Sequence, residues 1–277
     1  MNRPPPFDPA RLAFSDPPPF EAINLDAPAN CPLVLCCDHA SNAVPAHMER
    51  LGLPQAELDR HIGWDIGAAA VTRGLAARFG CPAFLSGYSR LIIDCNRPLD
   101  SPTSIPPVSD GTTIPANAAL SEAERRLRQA FFFAPYQQAL GSYMERRLGQ
   151  DGPPPLFVAV HSFTPVMNGL ARPWHIGLLF EHDRRLVGPL RSALLALEPG
   201  LVIGENQPYA IEGPSDYAIQ VYAHDRGVPH IELEIRQDEI GTRPGAERWA
   251  ELIARALNAV LADTSLRRIE RHGPAAA

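Results

Sequence analysis

Residues 31–45 read CPLVLCCDHASNAVP. The apolar run PLVLCC stops abruptly on Asp38, His39, Ser41 and Asn42, and Pro45 closes the turn. An unbroken apolar run of this length, with no polar alternation, is the pattern of a strand buried on both faces. In an open α/β sheet, ligands bind beyond the carboxyl ends of the strands. The stretch therefore suggests both the fold class and the place to look for chemistry.

The same reading extends along the chain. PAFLSG (82–87), RLIIDCN (90–96), LFVAVHSF (156–163), WHIGLLF (174–180), LVIGEN (201–206) and PHIELEIRQ (229–237) read as further strands. Helical spacing runs through 56–80, ending at Gly80, and through 184–197 and 245–264. Residues 120–149 are amphipathic, with Ser121 and Glu124 spaced as a capping box and Pro135 marking a kink or interruption. Alternating strands and helices predict an α/β fold. It is a single domain with a central, mostly parallel or mixed sheet flanked by helices. Residues 1–30 read as an extended proline-rich arm, 31–265 as the domain, and 266–277 as a flexible tail. Residues 98–119, rich in prolines and turn formers, read as a long loop of the kind that covers a site.

Among 277 residues the 25 basic ones are all arginine, and the net charge is -6. That acidic balance argues against nucleic acid as a partner. No apolar run reaches the ~20 residues needed to span a bilayer, which argues against a membrane role. The N-terminus lacks the apolar centre of a signal peptide, so a cytoplasmic location is expected. Five cysteines, an odd number and mostly in apolar runs, read as reduced buried thiols. There is no GxGxxG and no phosphate loop to support a nucleotide fold. Oligomeric state is left open.

Polar residues at the strand ends carry the chemical reading. His39 follows the first run, and His161 with Ser162 follows LFVAV. Two histidines from distant segments at one sheet edge suggest a shared metal. Zinc suits neutral imidazole, and a catalytic zinc takes three protein ligands. Asp65, in HIGWDIGA, is the chosen third ligand, with a helix N-cap as its alternative role. Glu232, Glu234 and Arg236 alternate along one strand face. Burial there raises a carboxylate's pKa, which suits Glu234, or failing it Glu232, to act as the base. Arg97, with Asn96 beside it, is placed to hold a substrate carboxylate. Arg90 and Arg172 are further carboxylate binders, and His175 is a candidate substrate contact. Asp94 is read as the ion-pair partner of Arg90. Two competing readings are a non-catalytic small-molecule binder with a degenerate metal site and a metal-free serine hydrolase using Ser162. No GxSxG surrounds Ser162.

The motifs CDHASNAVP, HIGWDIGA, SRLIIDCNRP, VHSFTP and IELEIRQD, in that order between about residues 31 and 261, resemble the N-formylglutamate amidohydrolase family. The resemblance implies a zinc-exopeptidase-like fold, related to the zinc carboxypeptidases, and a zinc-dependent amidohydrolase. Its substrate would be a small N-acyl amino acid, with N-formyl-L-glutamate as the type. It also implies that His39 is the first zinc ligand, His161 the last histidine ligand and Glu234 the general base. Asn96 and Arg97 would hold the substrate's carboxylate. Two positions depart from the pattern: Asn42 stands where carboxypeptidases have a ligating glutamate, and Ala159 where family members have an acidic residue before the HS pair.

Overall fold

The computed structural model describes residues 3–211 and 213–272. Its centre is a seven-stranded sheet. The strands are β1 (Phe20–Ile23), β2 (Leu33–Cys37), β3 (Ala83–Ser86), β4 (Leu156–Phe163), β5 (Ile176–Leu179), β6 (Ile203–Glu205) and β7 (His230–Arg236). Their spatial order is β1-β3-β2-β4-β7-β5-β6. The junctions are parallel except at β1/β3 and β7/β5, which are antiparallel. The sheet is therefore mixed.

The main helices are α1 (Ala68–Phe79), α2 (Glu122–Arg128), α3 (Ala134–Leu148), α4 (Val187–Leu197), α5 (Tyr217–Tyr222) and α6 (Arg243–Leu261). They divide between the two sheet faces. Leu33 and Leu35 of β2, Val158 and Val160 of β4, and Ile231, Leu233 and Ile235 of β7 pack with α1, α4 and α6. The intervening Val34, Cys36, Phe157 and Ala159 pack with Tyr136, Leu140, Tyr143 and Met144 of α3 and with α5. Strand side chains alternate in direction, so both faces of β2 and β4 are apolar and both are buried. The same alternation decides the chemistry. His161 falls on the α3/α5 face after Phe157 and Ala159 of β4, and Glu232 and Glu234 fall on the same face of β7 beside Ala159 and His161.

Local signals hold at several helix ends. Ser121 Oγ accepts from Glu124 N–H at 3.2 Å. The Glu124 carboxylate does not reach back to complete the box; it receives Arg3 at 2.7 Å and Arg128 at 2.8 Å. Pro135 lies in the first turn of α3, and the turn before it, Gln129–Phe133, widens to π geometry. α1 begins only at Ala68. Gly67, at φ 84°, is its N-cap, and a Cβ there would lie 2.3 Å from the Ile240 carbonyl. Only glycine fits this link between Asp65 and the helix.

Two readings of the sequence need correction. RLIIDCN is not a strand. Its backbone makes turns, with Ile92 N–H donating to Ser89 and Asp94 N–H to Ser104. Leu91, Ile92 and Ile93 are buried in a third apolar cluster beside the sheet. Conversely, FEAI at 20–23 is a strand, pairing antiparallel with β3 at the edge. The proline-rich segment before it lies along the domain: Phe7 is 2% exposed and packs on Phe131 and Phe132 with ring centres 5.1 and 4.5 Å away. Of the expected tail, Glu270 N–H donates to Gly227 at 2.8 Å, and residues 273–277 lie outside the described residues. Among the described residues, no helix is long and apolar enough to cross a membrane, and all five cysteines are buried and unpaired.

Phe7→Ala should destabilise the protein by about 3 kcal/mol in chemical denaturation, the cost of emptying a buried aromatic site. A loss under about 1 kcal/mol would mean the arm contributes nothing to the fold.

Candidate active site

A cleft of about 640 Å³ opens at the carboxyl ends of β2, β4 and β7. Its lining includes His39, Asp65, His161, Asn96, Arg97, Glu232 and Glu234. Three segments meet in its floor. The turn after β2 brings His39, the loop before α1 brings Asp65, and β4 brings His161. Each of the three residues is under 5% exposed.

Asp65 Oδ2 is the meeting point. It lies 2.8 Å from His161 Nδ1 and 3.3 Å from His39 Nδ1, and the Ser162 N–H approaches it at 3.4 Å. The two rings stand 5.1 Å apart, centre to centre. Nδ1 of His39, Nδ1 of His161 and one Asp65 oxygen therefore face a common point, and the three side chains can offer ligand atoms within 4.8 Å of one another. The backing of the rings has the same logic. His39 Nε2 pairs with Asp94 Oδ1 at 2.7 Å, and His161 Nε2 stands 3.4 Å from Asp38 Oδ2. Asp94 fixes the His39 ring as in carboxylate–histidine–metal sites, whereas Asp38 lies behind the His161 ring at ion-pair distance without a formed hydrogen bond. Two imidazoles and one carboxylate, backed in this way, fit a divalent metal with an open fourth position.

The supports continue outward. Arg90 grips Asp94 with Nε at 3.0 Å and Nη2 at 2.7 Å, and its Nη1 is 3.6 Å from Asp65. Tyr136 of α3 donates to Asp38 Oδ1 at 2.7 Å. Burial pushes the Asp65 and Asp94 carboxyls up. For Asp65 the two histidines outweigh it, and for Asp94 Arg90 and His39 do, so both end below the usual carboxylate range. Burial pushes the His161 imidazole down, but Glu232, Asp38 and Asp65 outweigh it and raise it well above its ordinary value.

The glutamates behave in the opposite way. Glu232 and Glu234 are buried, and each keeps one oxygen, Oε2, without a hydrogen-bond partner. Burial pushes Glu232 up to about 7, with His161 opposing. Glu234 goes well above its ordinary value, again chiefly through burial. Glu234 sits beside His161 in the register of β7 on β4, and Glu232 beside Ala159. The small Ala159 thus neighbours a carboxylate supplied by the next strand. The charges acting on the pair also separate them: Asp65 and Arg90 act on Glu234, and Asp216, Asp38 and Arg97 on Glu232.

The remaining candidates divide. Asn96 is buried, and its Oδ1 accepts from Ala218 N–H at 3.0 Å. Arg97 lines the cleft beside Asp216, 3.6 Å away, and donates to the carbonyls of Asn96 and Ser215. Arg90 lines the cleft too, but its fork is engaged by Asp94, which makes it a support for His39 rather than an open carboxylate receptor. Arg172 stands one layer back, donating at 3.0 Å to the hydroxyl of Tyr209, which lines the cleft. His175 is outside the lining. Its Nδ1 accepts from Val202 N–H at 2.9 Å, so the structure does not bring it to the cleft. Asn42 pairs with Asp59 instead of joining the histidines. Asp65 does not cap α1, because its carboxylate turns to the imidazoles. Asp38, Tyr136, Asp216 and Tyr209 were not singled out for roles from sequence. Asp38 alone carried a signal, as the first polar residue past a buried strand.

This is a hydrolase-type α/β domain, with buried ligand-like side chains facing glutamates of raised pKa. The sequence model of the N-formylglutamate amidohydrolase family matches residues 31–261. The chain belongs to that family, and so to the amide hydrolases. Among solved structures it is similar to the gene product Atu2144 from Agrobacterium tumefaciens, at 31% identity and a TM-score of 0.81, covering 91% of this chain and 99% of that one. It also resembles an N-formylglutamate amidohydrolase from Ralstonia eutropha JMP134 in fold, at 20% identity and a TM-score of 0.63, covering 90% and 98%. A search of curated proteins finds no match.

Arg90→Ala removes the two-point cation of buried Asp94 and the 3.6 Å contact to Asp65. It should cost about 3 kcal/mol of stability, and Arg90→Lys less. Equal losses for the two in urea denaturation would mean that charge at this position is immaterial.

Proposed function

We propose that this protein is a metal-dependent amidohydrolase acting on small N-acyl amino acids, with N-formyl-L-glutamate, giving formate and L-glutamate, as the type reaction. The observation that carries the reading is the convergence of His39, Asp65 and His161 on one point in a cleft that also holds Glu234. Those three side chains would hold the ion, and zinc is the metal that the N,N,O donor set suits. Such an ion supplies Lewis acidity, polarising an acyl carbonyl and acidifying a water.

The protein's own groups do the rest. Asp94 keeps the His39 imidazole turned inward, and Asp65 holds Nδ1 of His161 toward the site. Arg97, with Asn96 beside it, receives the carboxylate of the amino-acid portion and fixes the scissile amide over the floor. Glu234 is the proton carrier. As a carboxylate it takes a proton from the attacking water, whose oxygen bonds to the acyl carbon. It then delivers that proton to the nitrogen as the C–N bond breaks, leaving a free acid and an amine. Burial, which raises its pKa by favouring the protonated form, suits Glu234 to hold the proton between the two halves of this exchange. Residues 98–119 wall one side of the cleft through Thr103, Pro106, Val108, Ser109 and Asp110, which favours a small substrate.

A serine mechanism has less support. Ser162 lines the cleft beside His161. Its Oγ has no hydrogen-bond partner to take a proton.

The test joins metal analysis to a panel of N-formyl and N-acetyl amino acids. Chelation should abolish hydrolysis, and zinc should restore it. Glu234→Gln should lower kcat by roughly 10²–10⁴-fold while retaining the wild-type metal content. Arg97→Ala should lower kcat/KM by about 10–100-fold, the loss of one charge-assisted hydrogen bond, mostly in KM. Full activity in the stripped enzyme would end the metal reading, and no hydrolysis across the panel with metal bound would favour a binding protein.

A further inference from the structure

A second pocket, of about 340 Å³, opens near the amino end of β4, away from the catalytic cleft. It lies between the end of α3, the loop from α3 to β4, and the segment around Ile269 and Arg271. Arg147, Arg226 and Arg271 line it, with Leu148, Pro154 and Ile269 as an apolar wall. It shares no lining residue with the cleft. The final segment is tied down here, because Glu270 N–H donates to the Gly227 carbonyl at 2.8 Å.

The charges around this pocket do not balance. Buried arginines elsewhere in the protein have carboxylates: Arg128 has Glu124 at 2.8 Å, and Arg185 has Asp183 at 2.7 Å. Arg147 is 3% exposed, yet among the described residues it meets none. Its Nη2 donates to the Pro153 carbonyl at 2.9 Å and reaches that of Cys31 at 3.5 Å. Its Nε is buried without a partner. A buried charge in this condition is costly unless an opposite charge joins it. Arg267 comes to the same Pro153 carbonyl at 3.4 Å and to that of Pro154 at 3.1 Å, also without a carboxylate. Burial, with the Arg147 guanidinium adding to it, holds the Arg267 pKa below its ordinary value. Arg226 and Arg271 donate to the backbone carbonyls of Val221 and Asp225, at 3.1 and 3.4 Å. Among the described residues, the carboxylate that the group does meet is Glu145, 3.7 Å from Arg226 and largely exposed. The carboxyl end of α3 offers Arg147 a partial negative charge, which falls off within one turn and leaves the others uncompensated. Four guanidiniums thus gather in a chain whose net charge is -6.

We propose that this pocket binds a phosphate-bearing small molecule, its phosphate held by Arg147, Arg226 and Arg271 and its apolar body lying on Leu148, Pro154 and Ile269. The planar fork of arginine matches phosphate oxygens two at a time. A phosphate monoester brings nearly two negative charges and three acceptor oxygens, so it answers several guanidiniums where one carboxylate would leave charge unmet. The volume is at the small end of the range for ligand pockets. The site stands apart from the cleft and takes no part in hydrolysis.

Calorimetric titration of the full-length chain with phenyl phosphate and with inorganic phosphate, at matched ionic strength, tests the site. The titrations are run with and without chelator, because a metal ion in the catalytic cleft would itself take phosphate. The wild type should bind phosphate saturably in both conditions. Arg226→Gln and Arg271→Gln should each weaken the chelator-resistant binding about tenfold, the loss of one charge-assisted contact. Arg97→Ala, in the other cleft, should leave it unchanged. Arg147 is too buried for a clean variant, so the two outer arginines carry the experiment. Tighter binding of phenyl phosphate would make the ligand an organic ester, and equal binding would make it the free ion. The proposal is overturned if no saturable binding occurs below about 10 mM with chelator present, if either glutamine variant binds as tightly as the wild type, or if Arg97→Ala abolishes binding.

Discussion

The floor of the cleft rests on one buried carboxylate oxygen. Asp65 Oδ2 faces His39 from the β2 turn, His161 from β4, and the Ser162 backbone N–H. A lone carboxylate at this depth would be costly to ionise. The two imidazoles make the ionised form the favoured one, and Asp94, Arg90 and Asp38 complete an alternating arrangement of charge around them. Removing one member leaves its neighbours as unpaired buried charges, so the group behaves as a unit.

That unit is also what sets the glutamates apart. Asp65 and Asp94 lie against cations and fall below their ordinary pKa, whereas Glu232 and Glu234, equally buried, have less compensation and rise. Pairs of carboxyl groups driven in opposite directions by their surroundings are how one pocket keeps a fixed negative charge beside a proton carrier. The rigidity needed for this comes from the sheet. His161 and both glutamates sit on adjacent central strands, with apolar packing on the other face and α3 and α5 on their own.

Much of the architecture was legible because fully buried strands leave a plain signature. β2 and β4 were readable as apolar runs and β7 as an alternation of apolar residues with Glu232 and Glu234, and His39 and His161 were readable as polar groups on or just past the runs. RLIIDCN misled for the same reason that the others did not. Its apolar side chains are buried in a loop cluster, and periodicity cannot tell a buried turn from a short strand. β1 escaped notice because four residues behind three consecutive prolines form an edge, with no buried run to declare it. His175 opens β5, which runs antiparallel to β7 and so starts at the cleft's edge of the sheet, but its ring turns to the Val202 N–H and stays outside the lining.

The sequence by itself determined the alternation of strand and helix, the family, and which residue types stand at the strand ends. Tertiary structure decided their partners. That Asp94 backs His39 as well as pairing with Arg90, and that Asp38 is held by Tyr136 from 98 residues away, follows from sheet order and helix docking. Local pattern reports which face a side chain takes and whether it is buried. It holds no record of which distant segment lies opposite, because that contact is fixed only when the strands assemble.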